Sequence, residues 1–205
     1  MARQALRSAV PRGTSMPYIN ADVSEIISSI EKEIGGNQLT QSLQFSPTAF
    51  THIKRLVEAG GTIITDTTLI ASDINQSLLE GTSTSVRCFI DDPQVMQLAE
   101  IRRTTRAEVA IDVGLSIPGP KLVVISSAPA ALSRVLLRRQ REPLSDVCVL
   151  AAPTGFASVV QLKERLRESD MAFIVVRGKR GGNAVTSTIL NAILSRVKTL
   201  AQNPQ

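Results

Sequence analysis

The segment 177–183, with the sequence Arg-Gly-Lys-Arg-Gly-Gly-Asn, combines three glycines with three cationic side chains. It follows an apolar stretch at 172–176 and precedes a stretch in which apolar residues recur at helical spacing. Glycines let bare N–H groups approach a ligand, and the dipole of a helix N-terminus favours negative charge. The segment therefore predicts a binding site for a ligand with several carboxylates or phosphates.

Each residue type in this segment has its own part in that prediction. Arg177, Lys179 and Arg180 would bind carboxylates of the ligand, and a guanidinium does so with two parallel hydrogen bonds. Gly181 and Gly182 would bring the main chain close to the ligand. The structural alternative is a basic turn whose cations are solvated.

The hydrophobic pattern predicts the helices that must position this segment. A helix is expected at 21–34, where apolar residues recur at helical spacing until Gly35. A second helix is expected to begin with Ser46 as its N-cap and Pro47 as its first residue. Further helices are expected at 94–113, from Pro129, at 158–167, and after the glycine-rich segment.

Five short apolar stretches read as strands, at 62–65, 86–90, 121–125, 146–151 and 172–176. Their alternation with helices implies parallel βαβ units in one sheet, with strands buried on both faces. Ligands of such sheets bind beyond the carboxyl ends of the strands. The polar residues at those ends are Asp66, Asp91, Ser127, Thr154 and Arg177.

Two of these residues have structural alternatives. Asp66 could bind ligand or cap the next segment through Thr67 and Thr68. Ser127 could bind ligand, and it is expected to cap the helix that starts at Pro129.

Composition limits the classes of partner. The net charge of +5 suits a polyanion, but only 3% of the residues are aromatic, which disfavours a stacking platform for nucleic acid. No apolar run reaches the length that a membrane span needs. We therefore expect neither nucleic acid nor membrane as a partner.

The length of 205 residues fits one α/β domain. We expect that domain at 17–200, between a flexible tail at 1–16, where Met16 is an alternative start residue, and a short tail at 201–205. Cys88 and Cys148 lie in separate apolar stretches without a nearby partner. They are expected to be reduced thiols of a cytoplasmic protein, with no disulfide and no metal site.

Taken together, the motifs resemble the precorrin-8X methylmutase family, also called precorrin isomerase, of cobalamin biosynthesis. The resemblance extends from about Phe45 to Leu194. The motifs that carry it are Phe45-Ser46-Pro47, Thr65-Asp66 with Leu69-Ile70, Thr105-Arg106-Ala107, Ser127-Ala128-Pro129 with Ala131-Leu132, Pro153-Thr154-Gly155-Phe156, and 177–182 with Asn191-Ala192.

This resemblance implies a three-layer α/β/α, flavodoxin-like fold with a mostly parallel sheet, in a homodimer. It implies an isomerase that needs no cofactor and moves a methyl group between neighbouring carbons of a tetrapyrrole ring. The substrate would be precorrin-8X or cobalt-precorrin-8, whose acetate and propionate groups suit the basic segment. A catalytically inactive paralogue that binds a tetrapyrrole or scaffolds a partner is the alternative.

The family pattern also places a proton-transferring histidine on a helix shortly before the Phe-Ser-Pro motif. Counting back without a gap puts Lys32 near that position, and a deletion of the segment is the alternative alignment. The only histidine of this chain is His52, in the following helix. His52 could act on the ring if folding brings it to the strand ends; otherwise it is an ordinary, partly exposed side chain.

Three further substrate contacts rest on the resemblance. Arg106 could reach a carboxylate, or form a surface ion pair with Glu108 or Glu100. Thr154 and Gly155 could bring main chain against a flat macrocycle, and tight packing is an equally good reason for Gly155.

Overall fold

The computed structural model describes residues 18–203. The expected tail at 1–16 and the alternative start at Met16 lie outside the described residues. The elements in chain order are α1 (Ala21–Ile34), a 3₁₀ turn (Thr40–Ser42), β1 (Leu43–Phe45), α2 (Ala49–Glu58), β2 (Thr62–Thr65), α3 (Thr68–Asp73), a second 3₁₀ turn (Gln76–Leu79), β3 (Ser85–Cys88), α4 (Pro93–Arg102), α5 (Arg106–Leu115), β4 (Lys121–Ile125), α6 (Pro129–Arg141), β5 (Val147–Ala151), α7 (Ala157–Arg167), β6 (Ala172–Val176) and α8 (Asn183–Gln202). The last helix thus continues two residues into the segment expected to be the C-terminal tail.

The six strands form one sheet in the order β1-β6-β5-β4-β2-β3. Strands β2 to β6 pair in parallel, and β1 pairs antiparallel with β6. Without β1, the strand order is the 2-1-3-4-5 order of flavodoxin-like sheets. The prediction of a three-layer, mostly parallel α/β fold is confirmed.

Helices cover both faces of the sheet. One apolar layer joins α1, α2, α3 and α8 to the sheet, and includes Ile26, Ile53 and Ile193. The other joins α5, α6 and α7 to the opposite face, and includes Ile111, Leu132 and Leu166. Strands β2, β4 and β5 are buried along their whole length, as continuous apolar runs predict.

The single long helix predicted at 94–113 is wrong. The chain leaves the helical conformation at Arg103, whose φ is 51°, and begins a new helix after Thr105. Thr105 and Glu108 form a capping box, in which each side chain bonds the main-chain N–H of the other residue. Arg106 is consequently the first residue of α5 rather than a mid-helix residue.

The predicted start of the second helix is also wrong. Ser46 does not cap it, since α2 begins at Ala49 with Thr48 as its N-cap. The Ser46 hydroxyl accepts the N–H of Phe173 at 2.9 Å, and the Ser46 N–H donates to the Phe173 carbonyl at 2.8 Å. Ser46 therefore extends the pairing of β1 with β6, a strand pair that the apolar pattern did not reveal.

Within residues 18–203, no helix has both the length and the apolar character needed to cross a membrane. Cys88 and Cys148 are both free thiols. Cys148 is completely buried in β5, and this burial raises the pKa of its thiol.

Candidate functional site

The carboxyl ends of the parallel strands meet at one edge of the sheet, and a buried carboxylate organises its centre. Asp66, which follows β2, is 3% exposed and lies beside the turn between β4 and α6. It accepts hydrogen bonds from the N–H groups of Ser126, Ser127 and Ala128 at 3.0, 2.8 and 2.9 Å. It also accepts one from the Ser126 hydroxyl at 2.7 Å.

These bonds change the roles expected of Asp66 and Ser127. Ser127 does not cap α6, because the N-cap is Ala128 and its side chain has no polar atom. Asp66 satisfies the N–H groups there from a different strand, and the N-cap of α3 is Thr67. The hydrogen bonds of Asp66 fix the conformation of this turn, and the exposed Ser127 side chain lies on the turn.

The glycine-rich segment after β6 is tied to the loop after β5. The Gly182 N–H donates to the Ala152 carbonyl at 2.7 Å. Gly181 has a φ of 146°, and a Cβ added there would overlap the Ala152 carbonyl oxygen. Only glycine fits at this position, because both the φ angle and the contact exclude a side chain.

A buried lysine holds the same segment from the other side. Lys163 of α7 is 0% exposed, and its Nζ donates to the carbonyl oxygens of Gly178 and Arg180 at 3.1 and 2.8 Å. Lys163 forms no ion pair with any of the described residues. Burial lowers the pKa of Lys163 to about 8, since desolvation disfavours the ammonium form.

A cavity of about 500 Å³ lies between this segment and the end of α1. Three residues expected at the site line it, namely Thr154, Arg180 and Gly181. The rest of the lining comes from the end of α1, the segment that follows it and the first turn of α8: Ile34, Gly35, Gly36, Gln38, Leu39 and Val185. Arg180 is the one ionisable side chain among these lining residues, so the cavity wall carries a permanent positive charge.

The three cationic side chains of the segment lie in different surroundings. The Arg180 guanidinium donates to the Gln38 carbonyl at 2.9 Å and lies 3.4 Å from the Gln38 amide oxygen, at the cavity wall. Arg177 is outside the lining and donates from Nε to Glu164 at 3.1 Å. The Lys179 side chain is exposed and has no ion pair with the described residues.

Two other expected contacts lie elsewhere. Arg106 is exposed and 3.8 Å from Asp91, near the end of β3, rather than paired with Glu108 or Glu100. Four strand spacings separate β3 from β6, about 19 Å at 4.8 Å per strand. Gly155 packs against α7, because a Cβ there would overlap the Val159 side chain.

Neither candidate for proton transfer lies at the cavity. Lys32 is exposed on α1, on the face opposite Ile26 and Ile30, and does not line the cavity. His52 is buried rather than partly exposed, and its Nε2 lies 3.2 Å from the Asp146 carbonyl, just before β5. His52 is therefore at the amino edge of the sheet, so the condition for its acting on the ring is not met.

The sequence interpretation did not identify Lys163 or the wall formed by residues 34–39. The signal for Lys163 was available, since Val159, Lys163 and Leu166 occupy one face of a helix at helical spacing. A lysine between two buried apolar residues needs a polar partner, and here the partners are main-chain carbonyls. No group of three or more potential metal ligands is found among the residues that the structure describes.

Comparison with known proteins gives the family. The family model described as precorrin-8X methylmutase matches residues 7–196, nearly the whole chain. The chain belongs to the precorrin-8X methylmutase family. The match begins inside the segment expected to be an N-terminal tail.

Individual members of the precorrin-8X methylmutase family agree with this. The cobalt-precorrin-8 methylmutase of Salmonella typhimurium is 34% identical over 137 residues, which cover 66% of this chain and 63% of that protein. That match thus spans slightly less than two thirds of the relative. The cobalt-precorrin-8 methylmutase of Methanothermobacter thermautotrophicus is 28% identical over 84% of this chain and 80% of its own length.

A solved structure shows the same fold. The precorrin-8X methylmutase from Thermus thermophilus superposes with a TM-score of 0.76 at 24% identity, over 91% of this chain and 88% of that one.

Replacing Gly181 by alanine tests how tightly the two loops are joined. We expect Gly181→Ala to lower the free energy of unfolding by about 2–4 kcal/mol, because the methyl group cannot fit beside the Ala152 carbonyl. Gly119→Ala is the control, since Gly119 also has a positive φ, 88°, but open space around it. That change should cost about 1–2 kcal/mol. Equal losses in urea denaturation would contradict the close contact.

The buried Lys163 should give stability a specific pH dependence. Its pKa is about 8 in the folded chain and 10.5 for a solvated lysine, so the unfolded chain binds more protons between these values. The free energy of unfolding contributed by this residue therefore rises as the pH increases through that range. Comparing Lys163→Met with the wild type by urea denaturation at about pH 7 and pH 10 isolates this contribution. We expect the wild type to gain about 1–3 kcal/mol relative to the variant; parallel pH curves would show that Lys163 is not desolvated.

Proposed function

We propose that this protein is a precorrin-8X methylmutase-type isomerase, which moves a methyl group between neighbouring carbons of a corrinoid ring in cobalamin biosynthesis. The match of the family model to residues 7–196 carries the proposal. The cavity at the carboxyl edge of the sheet supports it, because it combines a permanent cation with main chain that only glycine allows. Precorrin-8X or cobalt-precorrin-8 is the proposed substrate.

The charge of the site fits a ligand with several carboxylates. Arg180 is at the cavity wall, and Arg177, Lys179 and Gly182 belong to the same segment but lie outside the cavity lining. A carboxylate bound to a guanidinium forms charge-assisted hydrogen bonds, which are stronger than those between neutral groups. We propose that Arg180, Gly181 and Thr154 contact the substrate and that Arg177 and Lys179 attract its peripheral carboxylates.

A methyl shift within one molecule needs no second reactant, so the site can contribute by fixing the ring. Hydrogen bonds to the peripheral carboxylates would give the site its affinity for the macrocycle and set the orientation of the ring. Arg180 would form one of these charged hydrogen bonds. Asp66, Ser127 and Gly155 lie outside the cavity lining, and their role in this proposal is to shape other loops at the same edge of the sheet.

We also propose that the protein is a homodimer and acts in the cytoplasm. The dimer rests on the resemblance to the family, and Ile101 and Phe156, exposed at 70% and 82%, are candidates for its contact surface. The free thiols Cys88 and Cys148 support a reducing compartment. Light scattering should give a mass twice that of the 22.0 kDa chain; a single-chain mass at every concentration would contradict the dimer.

Turnover is tested by incubating the purified protein with precorrin-8X and following the absorption spectrum. We expect the spectrum to change to that of the isomerised ring, because migration of the methyl group alters the conjugated system. A pigment that binds without a spectral change would contradict the isomerase and support a tetrapyrrole-binding protein instead.

The contribution of the cations is tested by Arg177→Ala combined with Arg180→Ala. We expect the double variant to weaken pigment binding by about 10- to 100-fold, through loss of charged hydrogen bonds to carboxylates. Arg180→Ala alone should account for most of this loss, because Arg177 is outside the cavity and bonded to Glu164. Arg139→Ala is the matched control, since Arg139 forms an ion pair with Asp170 at the end of α6. Unchanged affinity in the double variant would remove these side chains from the site.

A further inference from the structure

Lys163 is buried without a carboxylate and bonded to two main-chain carbonyls of the glycine-rich segment. Lysine is almost never fully buried unless it is paired, because desolvating an ammonium is costly. Here the two carbonyl oxygens, of Gly178 and Arg180, take the place of an anion at 3.1 and 2.8 Å. These two hydrogen bonds fix the orientation of the peptides on both sides of Lys179.

The geometry of the peptide bond shows which main-chain groups the loop then presents on its other side. All peptide bonds of the described residues are trans, so each N–H points opposite to the C=O of the same peptide. The peptides whose oxygens bind Lys163 carry the N–H groups of Lys179 and Gly181. Both N–H groups therefore point to the side of the loop away from α7.

These two N–H groups have no acceptor among the described residues, whereas the neighbouring Gly182 N–H donates to Ala152. The cavity lies between the loop and α1, on the face of the sheet opposite α7, and Arg180 and Gly181 line it. Two unpaired N–H groups beside a guanidinium are the set of donors that a carboxylate needs.

We infer that Lys163 is a positioning residue, which turns the N–H groups of Lys179 and Gly181 toward the cavity so that they bind a carboxylate of the substrate. The inference deepens the proposed function and rests on it for the identity of the substrate. Lys163 itself does not touch the ligand, because it is enclosed between α7 and the loop.

The N–H groups are tested first without any variant, by amide hydrogen exchange of the wild type. The Lys179 and Gly181 N–H groups should exchange at least about tenfold faster than that of Gly182, which is bonded to Ala152. Equal protection of all three would mean that the first two are bonded inside the protein, and would overturn the inference.

Anion binding is tested by titrating citrate, a small tricarboxylate, and following the amide signals of Lys179 and Gly181 by NMR. We expect both signals to move in the wild type and to need at least about tenfold more citrate in Lys163→Met. Lys163→Gln retains a donor and should recover part of the response. Identical titrations in the wild type and both variants would overturn the role of Lys163.

The control is Lys121→Met. Lys121 is also a buried lysine, 6% exposed, whose Nζ donates to the Gly119 carbonyl at 2.7 Å, but it begins β4 at the amino edge of the sheet. Its replacement should leave the response to citrate unchanged. Loss of the response in this control as well would attribute the effect to general destabilisation and contradict a local role.

Kinetics with precorrin-8X separate positioning from folding. In Lys163→Met we expect KM to rise about tenfold while kcat stays within about twofold, because the loss concerns binding of a carboxylate remote from the migrating methyl group. A fall in kcat with unchanged KM would overturn the inference. Absence of turnover in the wild type would contradict the proposed function alone, since the exchange and citrate experiments do not depend on it.

Discussion

Two buried charged side chains of opposite sign, each bonded to main-chain groups, shape the carboxyl edge of the sheet. Asp66 accepts hydrogen bonds from N–H groups of the turn before α6, and Lys163 donates hydrogen bonds to carbonyl oxygens of the glycine-rich segment. A buried charge without hydrogen bonds would be too costly, so each side chain forces its loop to present the complementary main-chain group. The conformations of both loops therefore follow from the need to satisfy these two ions.

The two ions also divide the edge into different surfaces. At the β2–β4 switch point, where ligands of such sheets often bind, Asp66 already occupies the N–H groups of the neighbouring turn. Beyond β5 and β6, Lys163 donates to carbonyl oxygens instead, and the cavity lies at this part of the edge. The cavity thus lies beside the loop whose Lys179 and Gly181 N–H groups remain unbonded within the part of the chain that the structure describes, and not beside the turn whose N–H groups already bind Asp66.

Much of the fold was predictable from the sequence. The strands 62–65, 121–125 and 172–176 and the helix 21–34 have the predicted bounds, because continuous apolar runs and helical spacing are strong signals. The break at Arg103 was missed, although Thr105 and Glu108 have the spacing of a capping box, since the apolar pattern continues across it. Strand β1 was missed because three residues carry too little pattern, and its pairing with β6 depends on a distant segment.

The candidate site was predictable only in part, because a local sequence pattern reveals only residues that lie close together in the chain. Glycines and cations close together in the chain identified the 177–182 segment, and Thr154, Arg180 and Gly181 meet at one cavity. Its opposite wall, at residues 34–39, and the lysine beneath it come from other parts of the chain. Contacts between segments far apart in sequence leave no local pattern, so Gln38 and Lys163 became visible only in three dimensions.

The hydrogen bonds between Arg180 and Gln38 have a consequence for how the cavity is filled. The loops after β5 and β6 are bonded to each other and to α7, so they form the fixed wall. The segment after α1 is fastened to that wall by the Arg180 guanidinium. The guanidinium has five N–H donors and directs two of its nitrogens to Gln38, so a carboxylate bound to the remaining donors would share this arginine with the segment after α1. In the proposed complex, the Arg180 side chain would join the segment after α1 to the bound substrate.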